Sequence, residues 1–201
     1  MVDHLREELL ATDANTGPVI SSAVAILRNA VASANQAPSD DYDSSSVDVR
    51  AELKAAGVLN LVTDSLSQLQ SLTMGGGSSG GGNVALSVDD VNAFAALQDL
   101  LAEMCSTEQQ DGTTTADGKA ANESAAKDIL ASGAIEQVNI LMRHNAFSGS
   151  PTCALATSSL LGAICAADES NAAPLKKMGC DQTLLQVYKY YFIGYPAFLL
   201  D

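Results

Sequence analysis

A glycine that separates two helical patterns recurs three times in this chain, at Gly57, Gly133 and Gly179. An aliphatic residue stands four positions before each of these glycines: Leu53, Ile129 and Leu175. Glycine adopts a left-handed backbone conformation more easily than other residues, so it suits a sharp turn between two helices. Each copy therefore predicts a helix, a tight turn and a second helix.

Apolar residues also recur at fixed positions after the glycines. After the first two glycines they stand at positions +2, +5 and +9, which are Leu59, Val62 and Leu66, then Ile135, Val138 and Met142. The third copy keeps Leu184 and Tyr188 but has Asp181 at +2. Because intervals of three and four residues lie on one face of a helix, each copy predicts an amphipathic helix after its glycine.

A further helical pattern belongs to each copy. Segments 23–34, 93–104 and 154–167 align with Leu27, Leu97 and Leu160 in register. Each repeating unit is thus predicted to contain a short helix, a glycine turn, a long helix, a loop and a second long helix.

The unequal spacing of the glycines predicts inserted loops. Gly133 and Gly179 are 46 residues apart, whereas Gly57 and Gly133 are 76 residues apart. The additional residues between Gly57 and Gly133 fall between predicted helices, in 73–87 and 106–123. A separate excess of 11 residues between Leu27 and Gly57, relative to Leu160 and Gly179, falls in 35–46, and all three segments are rich in Gly, Ser, Thr, Asp or Pro. Lengthening a loop costs little closure entropy. We therefore expect three flexible insertions, which limited proteolysis should cut first near residues 40, 78 and 115.

The repeat resembles the armadillo family in period and local sequence. "ILASGAIEQVNILMRHN" has an aliphatic residue, three intervening residues and then Gly-Ala-Ile before a helix. "SSLLGAICAADESNAAPLKKMG" resembles the third armadillo helix, which continues through Asn171 into the next repeat. The resemblance implies an all-α fold: a right-handed α-solenoid, or alpha-alpha superhelix, of three-helix repeats in a single domain spanning 1–201. The repeats it implies are a partial repeat 1–34, repeats 47–105 and 124–167, and a partial repeat 170–201.

The resemblance also implies a binding surface, the concave groove lined by third helices. Peptide-binding members carry a tryptophan on each third helix and, four residues later, an asparagine that holds the partner's backbone. The asparagine positions correspond here to Asn29, Asp99 and Gly162, so only the first matches. Five polar residues are expected to face the groove: Asn29, Ser33, Asp99, Glu103 and Ser158. The alternative is that they are ordinary solvated side chains of a scaffold.

The charge of the chain restricts its partners. It has 24 Asp and Glu against 10 Lys and Arg, a net charge of −14 and a pI of about 4.2. Such a surface repels phosphate groups, which argues against binding to nucleic acid or to an acidic membrane. The acidic Asp99 and Glu103 instead favour a partner protein that has a basic segment.

No residue pattern indicates catalysis, a cofactor or a metal site. Four cysteines include no CxxC pair, and His4 and His144 are the only histidines. The cysteines are expected to be small buried residues in a reducing compartment, which favours the cytoplasm or the nucleus. The first residues, "MVDHLREELL", do not resemble a signal peptide, and the longest apolar run has 11 residues, too few to span a bilayer.

Three functional hypotheses follow. The first is a non-enzymatic scaffold or adaptor that binds another protein along the groove. The second is a part of a larger armadillo solenoid with only a structural role. The third, by family analogy, is an exchange-factor-like regulator of a chaperone or small GTPase. Self-association is a further expectation, because apolar residues near the ends lack a neighbouring repeat: Val2, Leu5, Leu9, Tyr190, Tyr191, Phe192 and Phe198.

Overall fold

The computed structural model describes residues 22, 24–29, 31, 49–74, 86–106 and 116–188. Residues 22, 24–29 and 31 are helical and are called the N-terminal helical segment. The α-helices that follow are α1 (Val49–Ala55), α2 (Val58–Met74), α3 (Val88–Met104), α4 (Ala116–Ala131), α5 (Ala134–Leu141), α6 (Asn145–Ser148), α7 (Pro151–Ala167), α8 (Ala172–Lys177) and α9 (Cys180–Tyr188). A 3₁₀ turn, Glu169–Asn171, joins α7 to α8. The described part of the chain contains no strand, so it is all-α.

Several sequence predictions concern residues outside these ranges. They are Ser33, the insertion 35–46, the cleavage points near 40, 78 and 115, and the apolar residues Val2, Leu5, Leu9, Tyr190, Tyr191, Phe192 and Phe198. Among the helices that are described, none is both long and apolar enough to cross a membrane.

Each recurring glycine forms a left-handed turn between two helices. The φ angles are +79° at Gly57, +82° at Gly133 and +85° at Gly179. A residue with a Cβ would pay about 1–2 kcal/mol for this conformation. The aliphatic residue four positions earlier is buried in every copy: Leu53, Ile129 and Leu175. We name the three copies by their glycines: the Gly57 unit (α1, α2, α3), the Gly133 unit (α4, α5, α7) and the Gly179 unit (α8, α9).

Equivalent helices of successive units lie beside each other. The most extensive helix–helix contact joins α3 to α7, and the next joins α2 to α5. The residues that align these helices in the sequence are buried, with Leu27 and Leu160 at 0% exposure and Leu97 at 1%. Phe94 of α3 and Phe147 of α6 form an aromatic contact, with their ring centroids 4.6 Å apart. The core therefore runs between units as well as within them.

Local sequence explains where α3 and α7 begin. Ser87 caps α3 by accepting a hydrogen bond from the Asp90 amide, and the Asp90 carboxylate accepts one from the Ser87 amide. Proline occupies the first turn of α7, after Ser150 as its N-cap. Both helices start earlier than the apolar pattern predicts, because the capping residues lie outside the apolar stripe.

The predicted order of a short helix followed by a long one is wrong in the Gly133 unit. There α4 has 16 residues and α5 has 8. The predicted insertion 106–123 is too long, because α4 already begins at Ala116. The sequence of α4 is rich in alanine, the residue that favours a helix most. The α4 residues Asn122, Ala126 and Ile129 are buried on one face of the helix. The insertion predicted at 73–87 is likewise too long at its start, because α2 continues to Met74.

Candidate functional site

Helix α3 carries the two carboxylates that the sequence places in the groove. Asp99 and Glu103 are one helical turn apart, and each side chain is 32% exposed. Between them and the core, the Gln98 amide oxygen accepts a hydrogen bond of 2.6 Å from the Thr157 hydroxyl of α7. Both of these residues are fully buried, so they fix the rotation of α3 about its axis. This rotation presents the two carboxylates at the surface.

A guanidinium group of the N-terminal helical segment lies against both carboxylates. Arg28 Nη1 is 3.3 Å from Asp99 Oδ2, and Arg28 Nε is 3.9 Å from Glu103 Oε1. The arginine side chain is 47% exposed, so water and salt reach the ion pairs. Exposed pairs of this type contribute at most about 1 kcal/mol. A cation is thus already held at this surface, but weakly.

Burial and charge act in opposite directions on Asp99. Desolvation raises the pKa of its carboxyl group, and the nearby Arg28 guanidinium lowers it; the net direction is upward. The carboxylate is therefore less well stabilised in the folded protein than in water, despite its cationic neighbour. A second cation close to Asp99 would stabilise its charged form.

The structure brings some of the predicted groove residues together. Asn29 is exposed and follows Arg28 directly in the N-terminal helical segment, but only Arg28 contacts the α3 carboxylates. Ser158 is exposed on α7, the helix that packs along α3, and its hydroxyl donates to the Ala154 carbonyl of its own helix. No hydrogen bond or ion pair joins Ser158 to the other three predicted residues that the structure describes, Asn29, Asp99 and Glu103, and Ser33 lies outside the described residues.

The sequence does not predict the ion pairs that Arg28 forms with the two α3 carboxylates. This residue lies 71 positions before Asp99, and its charge opposes the acidic character expected for the groove. The alignment of segments 23–34 and 93–104 gives one indication of this contact. Asn29 occupies the position equivalent to Asp99, and Arg28 directly precedes Asn29. Neighbouring third helices that pack side by side bring these positions close together.

Two of the cysteines, Cys153 and Cys180, are thiols in environments that keep them protonated. Cys105, Cys153 and Cys180 are buried, Cys165 is half-buried, and none of the four forms a disulfide. Burial raises the pKa of Cys153 to about 11, and its thiol donates a hydrogen bond to the Val91 carbonyl. Burial likewise raises the pKa of Cys180. Within the described ranges, no group of three or more His, Cys, Asp or Glu side chains is arranged to hold a metal ion.

His144 is the N-cap of a short helix. It lies at the start of α6, where its Nδ1 accepts a hydrogen bond of 3.3 Å from the Ala146 amide. The imidazole therefore acts as the N-cap of this short helix.

Comparison with protein-family models, curated proteins and solved structures finds no match for this chain. A function must therefore be inferred from the repeated units and the surface that they carry.

Proposed function

We propose that this chain is a short right-handed armadillo-type solenoid that acts as a non-enzymatic scaffold, binding a basic segment of another protein in the cytoplasm or nucleus. The solenoid is supported by the recurrence of helix, left-handed glycine and helix. It is also supported by the neighbour relations of the units, in which α2 packs on α5 and α3 packs on α7. Stacking of equivalent helices is the defining property of repeat architectures.

The proposed binding row consists of the third helices, with Asn29, Asp99, Glu103 and Ser158 as its described polar residues. One observation carries this proposal: the Arg28 guanidinium lies on Asp99 and Glu103, at a surface that is still partly exposed. A lysine or arginine from a partner would find the same two carboxylates and would displace Arg28. The net charge of −14 accelerates the approach of such a partner at low salt.

Charge reversal tests the row. The double variant Asp99→Lys/Glu103→Lys should lower the affinity for lysine- and arginine-rich 12-residue peptides at least tenfold, and should weaken the salt dependence of binding. The matched control is Glu52→Lys/Glu169→Lys, which changes the net charge equally at two exposed residues outside the row. This control should change the affinity less than twofold.

Removal of the internal cation provides an opposite test. Arg28→Ala should raise the affinity for the same peptides by up to about fivefold, because an exposed ion pair contributes at most about 1 kcal/mol. Unchanged binding in all three variants would favour the alternatives, a structural part of a longer solenoid or an exchange-factor-like regulator that uses another surface. Circular dichroism should show equal helical content in every variant.

A further inference from the structure

A cavity of about 160 Å³ lies where the Gly57 and Gly133 units meet, between α1, α2, α3 and α4. Its described walls are mostly apolar and include Leu59, Met104, Ala121 and Ala125. An apolar cavity of about 150 Å³ is large enough to bind benzene. This cavity can therefore hold one aromatic ring or a branched aliphatic side chain, but not a ligand of drug size.

Two opposite charges line the same cavity. Lys54 belongs to α1 and Asp128 to α4, and the Lys54 Nζ atom forms an ion pair with the Asp128 carboxylate. The lysine side chain is 54% exposed and the aspartate side chain is 32% exposed. Because an ion pair with this exposure is weak, a ligand can separate the two side chains at little cost.

The size of the cavity and the two charges together define a class of ligand. A ligand with one charge would pair with Lys54 or with Asp128, and would take the other residue away from its present partner. An α-amino acid carries an ammonium and a carboxylate group on one carbon atom, so it can pair with both residues at once. Its apolar side chain would enter the cavity, where burial of apolar surface favours binding.

We infer that the cavity between α1 and α4 binds a free α-amino acid with an apolar side chain no larger than one ring, whose carboxylate pairs with Lys54 and whose ammonium pairs with Asp128. A peptide fits less well, because its terminal ammonium and carboxylate belong to different residues. The site goes beyond the proposed function, because it includes no residue of the proposed binding row. It joins the first helices of two successive units, so a bound ligand should stabilise the fold.

The probe is L-phenylalanine, which is titrated into the full chain by isothermal titration calorimetry. A ligand of this size should bind with a dissociation constant of about 1 mM or less, so the titration extends to about 10 mM. Binding that does not saturate in this range would overturn the inference.

Three smaller compounds test the parts of the ligand. Phenylethylamine lacks the carboxylate, phenylpropionate lacks the ammonium and glycine lacks the ring. Each should bind about fivefold more weakly than L-phenylalanine or worse, because it loses an ion pair or the apolar contact. Equal binding of phenylethylamine would mean that the net charge of −14 merely attracts cations, which overturns the inference.

Two variants test the assignment of the charges. Lys54→Gln removes the ion pair of Asp128, so phenylethylamine should bind this variant at least as tightly as L-phenylalanine does. The same should hold for phenylpropionate and Asp128→Asn. The matched controls, Lys127→Gln and Glu123→Gln, lie on α4 outside the cavity lining and should keep the wild-type order of the ligands. An unchanged order in both test variants would show that neither charge contacts the ligand, contrary to the inference.

A larger side chain in the cavity tests where the ring lies. Leucine is a good helix former and would occupy part of the cavity, so Ala121→Leu should weaken binding of L-phenylalanine about tenfold or more. The control is Ala166→Leu, at an exposed position of α7 outside the cavity, which should bind like the wild type. Circular dichroism should show equal helical content in both variants. Unchanged binding by Ala121→Leu would place the ring elsewhere and refute the inference.

The double variant Asp99→Lys/Glu103→Lys separates this site from the proposed binding row. L-Phenylalanine should bind it within about twofold of the wild type, because the charge change acts on the ligand only through the field of the whole molecule. Competition between L-phenylalanine and the basic peptides would place the amino acid in the row, which overturns the inference and leaves the proposed function intact. Loss of peptide binding alone would support both proposals.

Discussion

Gly133 adopts a left-handed φ of +82°, and a Cβ at this position would have no heavy atom within 4 Å. The cost of a side chain there is therefore conformational and not steric. We expect Gly133→Ala to lower the free energy of unfolding by about 1–2 kcal/mol. Urea denaturation monitored by circular dichroism at 222 nm measures this change.

Gly162 provides the matched control for this prediction. It is exposed within α7, and a Cβ there would also meet no heavy atom within 4 Å. Because alanine is better than glycine inside a helix, Gly162→Ala should stabilise the protein by about 0.5–1 kcal/mol. Stabilisation by both substitutions would contradict the role assigned to Gly133.

The raised pKa of Asp99 predicts that the stability of the fold depends on pH. Burial raises the pKa of its carboxyl group in the folded state, more than Arg28 lowers it. The folded state therefore binds this proton more tightly than the unfolded state does. As the pH rises above the ordinary aspartate pKa of about 3.9, Asp99 should lower the free energy of unfolding by an increasing amount. Asp99→Asn should remove this contribution.

The measurement compares urea denaturation of the wild type and Asp99→Asn between pH 3.5 and about 7, where carboxylates titrate. The wild type should lose stability relative to the variant as the pH rises, and the difference should become constant once Asp99 is ionised in the folded state. Glu103→Gln, one turn away on α3, serves as the comparison. A difference that changes in the opposite direction would show that the Arg28 ion pair outweighs burial.

At the scale of the helices, the buried pair Gln98–Thr157 joins α3 to α7. Thr157→Val leaves the Gln98 amide oxygen buried without its donor, which should cost about 1–3 kcal/mol. Gln98→Leu should cost less, because the Thr157 hydroxyl can then donate its one hydrogen to the Cys153 carbonyl, which lies 2.8 Å away.

The double variant Thr157→Val/Gln98→Leu completes the cycle. It removes both polar groups, so it should be more stable than Thr157→Val alone, although it has one more substitution. Chemical denaturation of the four proteins gives the coupling energy. Additive losses would mean that the hydrogen bond contributes nothing to the contact between α3 and α7.

The sequence predicts the existence of helices better than their limits and partners. The turns at the glycines depend on local backbone preference, and the buried faces follow from the spacing of aliphatic residues, so both could be found without coordinates. The start of α4 is harder to predict, because the Gly, Thr and Asp residues of 106–123 indicate a loop, whereas the alanines from Ala116 onward favour a helix. The ion pairs of Arg28 could not be predicted, because they require knowing which third helices are neighbours.

For the whole molecule, the net charge of −14 predicts that salt stabilises the fold. Like charges repel more strongly in the compact state than in the unfolded chain, and salt screens this repulsion. Raising NaCl from about 10 mM to about 200 mM, which shortens the Debye length from about 30 Å to below 10 Å, should raise Tm by roughly 5 °C.

Differential scanning fluorimetry with NaCl and with KCl distinguishes this effect from specific ion binding. The two salts should give the same increase at equal ionic strength, and most of it should occur below about 0.2 M. A Tm that falls with salt would mean that attractive pairs, such as those of Arg28, outweigh the repulsion among the excess carboxylates.

The polar pairs between units also determine whether the units are interchangeable. The α2–α5 contact includes a hydrogen bond of 3.1 Å from the Gln137 amide to the Ser67 hydroxyl. The α5–α9 contact instead pairs Asn139 with Thr183, at 2.9 Å. The two contacts place their polar groups at different positions along otherwise similar helices. If the Gly133 unit preceded the Gly57 unit, Asn139 would face Leu61, the residue at the position of Thr183, and its buried amide oxygen would lose this hydroxyl donor. The polar residues between the units therefore favour their present order, and a transposed unit would need new residues at its junctions.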